Sequence, residues 1–334
     1  MKLIQPKSLL STRTANPVVP SVLRLLVTLI ASGAIAAAAP STSWTQLSPD
    51  ISPTPRSYLA MTYDVASQKV VMFGGYDGSY LNDTWTFDGT TWTKVSPATV
   101  PPGRVNAQMA YDRRTHKVVL FGGYDGGQDL GDTWLWDGTT FTWTQANPVH
   151  SPKAVTGPMV FPNPNGRVDE FGGFDGQLYQ GTMWQWNGSD WKQLHLAILP
   201  YARSSAAVGV NTFRQQVVMF GGLADVNPVN TWTYDGSRWT MESPATQPTW
   251  VYGSSAVFDP NLRAVVLFGG GSGGVEQRST WGWTGFNWAQ LDSTQSPRAR
   301  EGAGIAYDIT LGHVIIFGGQ DGNVLLNDTW ELTP

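Results

Sequence analysis

The chain has 334 residues, 21 Lys+Arg against 25 Asp+Glu, 14% charged residues, 37 Gly, 16 Trp and no Cys. That length holds one or two ordinary domains, the Trp, Gly and Pro content suits strands broken by turns, and without cysteine no disulfide forms. The acidic excess argues against nucleic acid or an anionic lipid surface as a partner.

Residues 1–39 carry Lys2, Lys7, Arg13 and Arg24, no acid, and then an apolar run from Leu25 ending in Ala36-Ala37-Ala38-Ala39. Basic, then apolar, then small residues read as a secretory signal peptide cleaved near Ala39; a retained anchor is the competing reading, although the run is short for a membrane span. The expected domains are 1–39 as signal peptide and 40–334 as one folded unit, with no membrane insertion after cleavage. Taking those four basic residues from the 21 leaves 17 against 25 acids, a net of −8. The expected location is secreted or periplasmic.

From Ser43 onward every segment reads as a short strand. Ser43-Trp44-Thr45-Gln46-Leu47 comes first. A unit of four strands, a to d, follows: Arg56–Asp64, Lys69–Phe73 ending in Gly74-Gly75, Asp83–Phe87 with alternating Trp85 and Phe87, and Thr91–Val95 after an Asp88-Gly89 hairpin signal. Strand b reads as a continuous apolar run, as in a strand buried on both faces.

The triplet Phe-Gly-Gly then recurs, starting at Phe73, Phe121, Phe171, Phe220, Phe268 and Phe317, in steps of 48, 50, 49, 48 and 49 residues. A period near 50 predicts an all-β, six-bladed β-propeller of four-stranded blades. The last unit stops at Pro334 without a strand d. Trp44 precedes Arg56 by twelve residues, as Trp92 precedes Arg104 and Trp191 precedes Arg203, so the N-terminal strand is expected to complete blade six and close the ring.

An apolar strand ending in Gly-Gly, with a Trp about twelve residues later, resembles the kelch repeat, six times over nearly the whole chain after residue 40. The usual Tyr ahead of that Trp and the Ser-Gly-His opening are absent. The pattern is more similar to secreted bacterial kelch-like proteins than to intracellular adaptors.

Loops between strands b and c vary in length, whereas the a–b turns do not, which marks the b–c and d–a face as the expected ligand side. Seven residues before the end of strand a stand Arg56, Arg104, Arg203 and Arg300, with Ala154 and Val251 in the other two blades. As channel-facing groups the arginines would bind carboxylates, phosphates or sugar hydroxyls. Otherwise each pairs with an acid such as Asp83, Asp132 or Asp328.

Trp250 is the one Trp outside strands c and d, with Tyr252 beside it, and Glu301 is the one acid at its repeat position. The candidate ligand-binding set is therefore Arg56, Arg104, Arg203, Arg300, Glu301, Trp250 and Tyr252. Tyr76, Asp77, Tyr124, Asp125, Phe174, Asp175 and Asp321 lie in b–c loops and read first as turn residues. No histidine pair has metal-ligand spacing, and no metal or cofactor is expected.

Three function classes follow. The first is a monomeric, secreted, non-catalytic module binding a glycan or an extracellular protein. The second is a sugar-modifying enzyme; the resemblance implies either a galactose oxidase type, whose Tyr–Cys cofactor a chain without cysteine does not form, or a cofactor-free sialic acid epimerase type. Glu301 and Arg300 would then be the catalytic candidates. The third is a structural cell-surface component.

Overall fold

In the computed structural model, residues 42–334 are described except 227, 292 and 294. The expected signal peptide and its cleavage site lie outside the described residues. Six four-stranded antiparallel sheets make up the fold, and no helix occurs among the described residues.

Blade one consists of Ala60–Asp64, Lys69–Phe73, Thr84–Phe87 and Trp92–Val95, paired in that order. Blades two to five repeat the arrangement. Blade six is built from Gly304–Asp308, His313–Phe317 and Thr329–Thr333, with Ser43–Leu47 as its outer strand. Gln46 stands opposite Trp330 in that ladder. Strand a is innermost, and the a strands of neighbouring blades touch in all six pairings around the axis.

Three sixfold contact systems hold blade to blade, and each explains a repeated residue. In Phe-Gly-Gly both glycines have positive φ, as with Gly74 at 70° and Gly75 at 98°. A side chain on Gly74 would strike the Arg104 carbonyl at 2.8 Å, and the N–H of Gly75 donates to that carbonyl at 2.9 Å. Gly123, Gly173, Gly222, Gly270 and Gly319 make the same bond to the next blade. Only glycine adopts this turn at low cost.

The outer-strand tryptophans form the second system. The indole N–H of Trp92, Trp143, Trp191, Trp288 and Trp44 donates to Thr329, Thr84, Thr133, Thr231 and Thr280 respectively, the threonine opening strand c of the preceding blade. Trp239 meets Met183 sulfur instead, at 3.2 Å. Buried indoles of this kind supply most of the inter-blade apolar area and still satisfy their one donor.

The third system is a closed hoop of backbone hydrogen bonds about the axis. Tyr58 donates to Gly302, Gly302 to Gly253, Gly253 to Ser205, Ser205 to Gly157, Gly157 to Asn106 and Asn106 to Tyr58, all between 2.7 and 3.0 Å. All six residues have φ between 53° and 64°. Gly, Asn and Ser suit that region; a tyrosine there is strained.

Two expectations need correction. Strand b is not apolar throughout: in blade three it is Val168–Phe171, with Asp169 and Glu170 buried in it. The a–b hairpin of that blade is also one residue shorter, since Met159 pairs Phe171 where Ala60 pairs Phe73. Val155 rather than Ala154 therefore takes the arginine position, its N–H bonding Leu130 as that of Arg104 bonds Leu81.

Candidate functional site

The four arginines do not ring the channel. Each is at most 1% exposed, and none lines a cavity on the axis. Arg56 spends all five N–H groups: on Thr54, on the Gly74 carbonyl and on both oxygens of Asp83. Arg104 forks onto Asp132 and Arg300 onto Asp328 in the same way. Burial alone would raise these carboxyls, but the guanidinium and the indole N–H of Trp85, Trp134 or Trp330 outweigh it and hold them below the ordinary value. Arg203 donates to the Tyr201 and Gly221 carbonyls but has the Asn230 amide oxygen, at 3.2 Å, in place of an acid, and burial lowers its pKa to about 10. The physical reason for the correction lies ahead of strand a: the arginine backbone is held on the b–c loop of the preceding blade, as Arg104 on Leu81, and the side chain turns to the acid two residues ahead of the Trp in its own blade.

Glu301, Trp250 and Tyr252 do come together, on the b–c and d–a face where blades five, six and one meet. Glu301 is 7% exposed. Its Oε1 accepts the Tyr58 hydroxyl at 2.6 Å and the Gln320 amide at 3.1 Å. Ser57 in turn donates to the Gln320 Oε1 at 2.9 Å, fixing which end of that amide faces the acid. Oε2 of Glu301 is buried, with the Tyr252 hydroxyl beside it. Tyr252 lies beside the same carboxylate; burial first, then the charge of Glu301, raises its pKa, and the same two causes raise that of Tyr58. Both hydroxyls are therefore protonated donors at neutral pH. The Trp250 ring is tilted on Tyr252 at 5.6 Å, half-buried, with its indole N–H on the Gly222 carbonyl.

Local sequence explains the gathering. At the first residue of the short bridge into strand a the blades carry Ser57, Val105, Thr156, Ser204, Tyr252 and Glu301; opposite them, after Phe-Gly-Gly, stand Tyr76, Tyr124, Phe174, Leu223, Gly271 and Gln320. Blade five thus moves its aromatic ring to the other side of the bridge. A side chain at Gly271 would strike both Tyr252 and Glu301. Tyr58 spreads over Gly302 and Gly253 of the hoop, where a Cβ on Gly302 would meet its ring at 2.9 Å.

Farther round the same face is an aromatic arc. Tyr76 and Tyr80 are 5.4 Å apart, Tyr80 and Tyr124 5.8 Å, and Phe174 and Tyr179 5.1 Å. Tyr76 and Tyr80 are 37% and 38% exposed. Asp77, Asp125 and Asp175 accept backbone N–H groups of their own turns, and Asp321 pairs Arg298. Among the described residues no group of three or more His, Asp or Glu could hold a metal ion.

Tyr58, Gln320, Tyr80 and Tyr179 escape a reading of the repeat. Tyr58 had a signal: it is the one aromatic at a position otherwise Asn, Gly, Ser, Gly and Gly. The arginine pairing had one too, since blades with Arg carry Asp or Asn before Thr-Trp, while blade three has Thr182 and blade five Ser279 there.

Six blades, closed by the N-terminal strand around a hoop at the axis, define a β-propeller. Residues 37–196 match the profile of the KLHDC2/KLHL20/DRC7 Kelch-repeats domain. No curated protein matches the sequence. Among solved structures the chain is similar to one titled "Structure of YjhT", with a TM-score of 0.68 and 15% identity over 84% of this chain and 95% of that one. Identity that low speaks for the fold alone.

Proposed function

We propose that this propeller is an exported, monomeric binding module that takes a glycan on its b–c and d–a face. The observation that carries the reading is the cluster at Glu301: one carboxylate oxygen is fixed by Tyr58 and Gln320, and the other lies buried beside the Tyr252 hydroxyl. An acceptor held in this way, flanked by the rings of Tyr252 and Trp250, suits a neutral, hydroxyl-rich ligand that donates to the acid and lays an apolar ring face on an aromatic. The exposed Tyr76–Tyr80–Tyr124 arc extends that surface. The net charge of −8 without residues 1–39 disfavours polyanions, and the basic-then-apolar N-terminus supports export.

Binding of the purified protein to a glycan array tests the reading. On any glycan that binds, Trp250→Ala should weaken affinity by about 1–3 kcal/mol and Glu301→Gln by a similar amount, with unchanged thermal stability for Trp250→Ala. An array without hits, or hits indifferent to both substitutions, would overturn it.

A cofactor-free sugar-modifying enzyme is the second reading, resting on the Glu301 carboxylate as a general base. Arg300 does not join it there, because its guanidinium is buried on Asp328. Turnover of a bound sugar, lost in Glu301→Gln while binding persists, would favour that reading over the module.

A further inference from the structure

One roomy cavity lies away from the Glu301 face. It is a chamber of about 470 Å³ on the propeller axis, lined by strand a of every blade and opening among the a–b turns at Val65, Thr212, Pro260 and Ile309. It stops at Leu59, Ala206, Ser254 and Ala303, the layer next to the hoop, and none of the six hoop residues lines it. At the hoop itself only about 40 Å³ remains. The chamber is thus open at one end and constricted at the other, and its volume falls within the roughly 300–1,000 Å³ of ligand pockets.

Its lining carries slightly more apolar than polar surface and almost no charge. Met61, Met109, Met159, Phe161, Phe258 and Val210 contribute apolar wall, and Arg113 is the one charged residue among all those that line it. The tyrosine hydroxyls at its mouth already have local partners: Tyr63 on Thr310 at 2.8 Å, Tyr111 on His116 at 3.3 Å and Tyr307 on Asn261 at 3.3 Å. Gln108 and Thr62 add neutral polar groups on the wall. Exposed apolar residues surround the opening, with Val65 44%, Ile309 58% and Phe213 61% exposed, and Phe213 packed on Phe258. A chamber of this size, with apolar and neutral polar walls and a single cation at its rim, favours an uncharged guest with apolar faces, because a charged ligand finds no counter-charge inside.

We propose that the axial chamber is a second ligand site, distinct from the Glu301 face, and that it takes an uncharged, largely apolar molecule of one or two rings entering from the a–b turn side. The three methionines lend the wall the adaptability to fit such a guest.

The probe is N-phenyl-1-naphthylamine, uncharged and fluorescent in apolar surroundings. It should bind saturably at one site per chain. With methyl-¹³C methionine, the NMR signals of Met61, Met109 and Met159 should shift on titration. Those of Met72, Met183 and Met219, sealed between blades, and of exposed Met241 should stay in place. Gln108→Trp and Thr62→Trp, which fill the chamber, should each weaken probe binding at least tenfold. Absence of saturable binding, or shifts at methionines outside the chamber, would overturn the proposal. So would full probe affinity in a folded filled variant, and if neither variant folds, the methionine shifts of the unsubstituted protein decide.

Discussion

At the residue scale, the Arg–Asp pairs show how one repeat position splits into strong and weak copies. Asp83, Asp132 and Asp328 each serve two donors at once, a guanidinium fork and an indole N–H. In blade four Asn230 offers one oxygen to Arg203, and the Trp232 indole N–H is left without a partner. A buried cation without its anion is costly, as is a buried donor without an acceptor. Asn230→Asp restores both and should raise unfolding stability by about 1–3 kcal/mol, read as a higher denaturant midpoint at pH 7. An unchanged or lower midpoint would show that the amide already satisfies the site.

Strand by strand, closure depends on Ser43–Leu47. Trp44 of that strand is 1% exposed, packs on Phe268 at 5.3 Å and donates to Thr280, both in blade five. The strand therefore completes the sheet of blade six and ties that blade to its neighbour. Trp44→Ala should cost about 3–5 kcal/mol, the usual cost of emptying a buried Trp site, and deletion of residues 42–50 should cost more, because Thr329–Thr333 would become an open edge. Urea midpoints of the two variants measure this. A deletion no more harmful than a surface-loop deletion would mean that blade six stands without its fourth strand.

For the whole molecule, two sets of acids pull stability in opposite pH directions. The Arg-paired Asp83, Asp132 and Asp328 have lowered pKa values, so their contribution is present above the ordinary carboxylate value and is lost as pH falls through the folded one. Asp169 and Glu170 behave oppositely. Burial raises Asp169 from 3.8 to about 6, against hydrogen bonds from Gln185 and Asn163, and burial alone raises Glu170 well above its ordinary value. Their neutral forms fit the fold, so the associated stability is full below the unfolded pKa values and is lost as pH rises through the folded ones. For Asp169, a rise from 3.8 to about 6 is worth about 3 kcal/mol at pH 7. The wild type should therefore lose stability from about pH 4 upward through pH 6, and the double variant Asp169→Asn, Glu170→Leu should not. Guanidinium midpoints across pH 4–8 test it; parallel profiles for the two proteins would refute the assignment.

The repeat was legible in sequence because its period is written in residues that no other turn or interface accepts: two glycines at positive φ, a Trp in each outer strand, and an orphan strand at each end. Blade count, strand order and closure by Trp44 follow from those local demands alone. Side-chain partnership did not follow, because it depends on which neighbouring strand a residue faces. The arginines ahead of strand a look outward to Asp83, Asp132 and Asp328 instead of inward to the axis, a choice made by the b–c loop of the preceding blade that holds their backbone. Tyr58 reaches Glu301 across 243 residues of chain, and the hoop joins six residues that no local pattern links. Ring closure alone sets such distances, so the meeting of Glu301, Tyr58 and Tyr252 on one face and the apolar chamber behind it were decided by the tertiary structure.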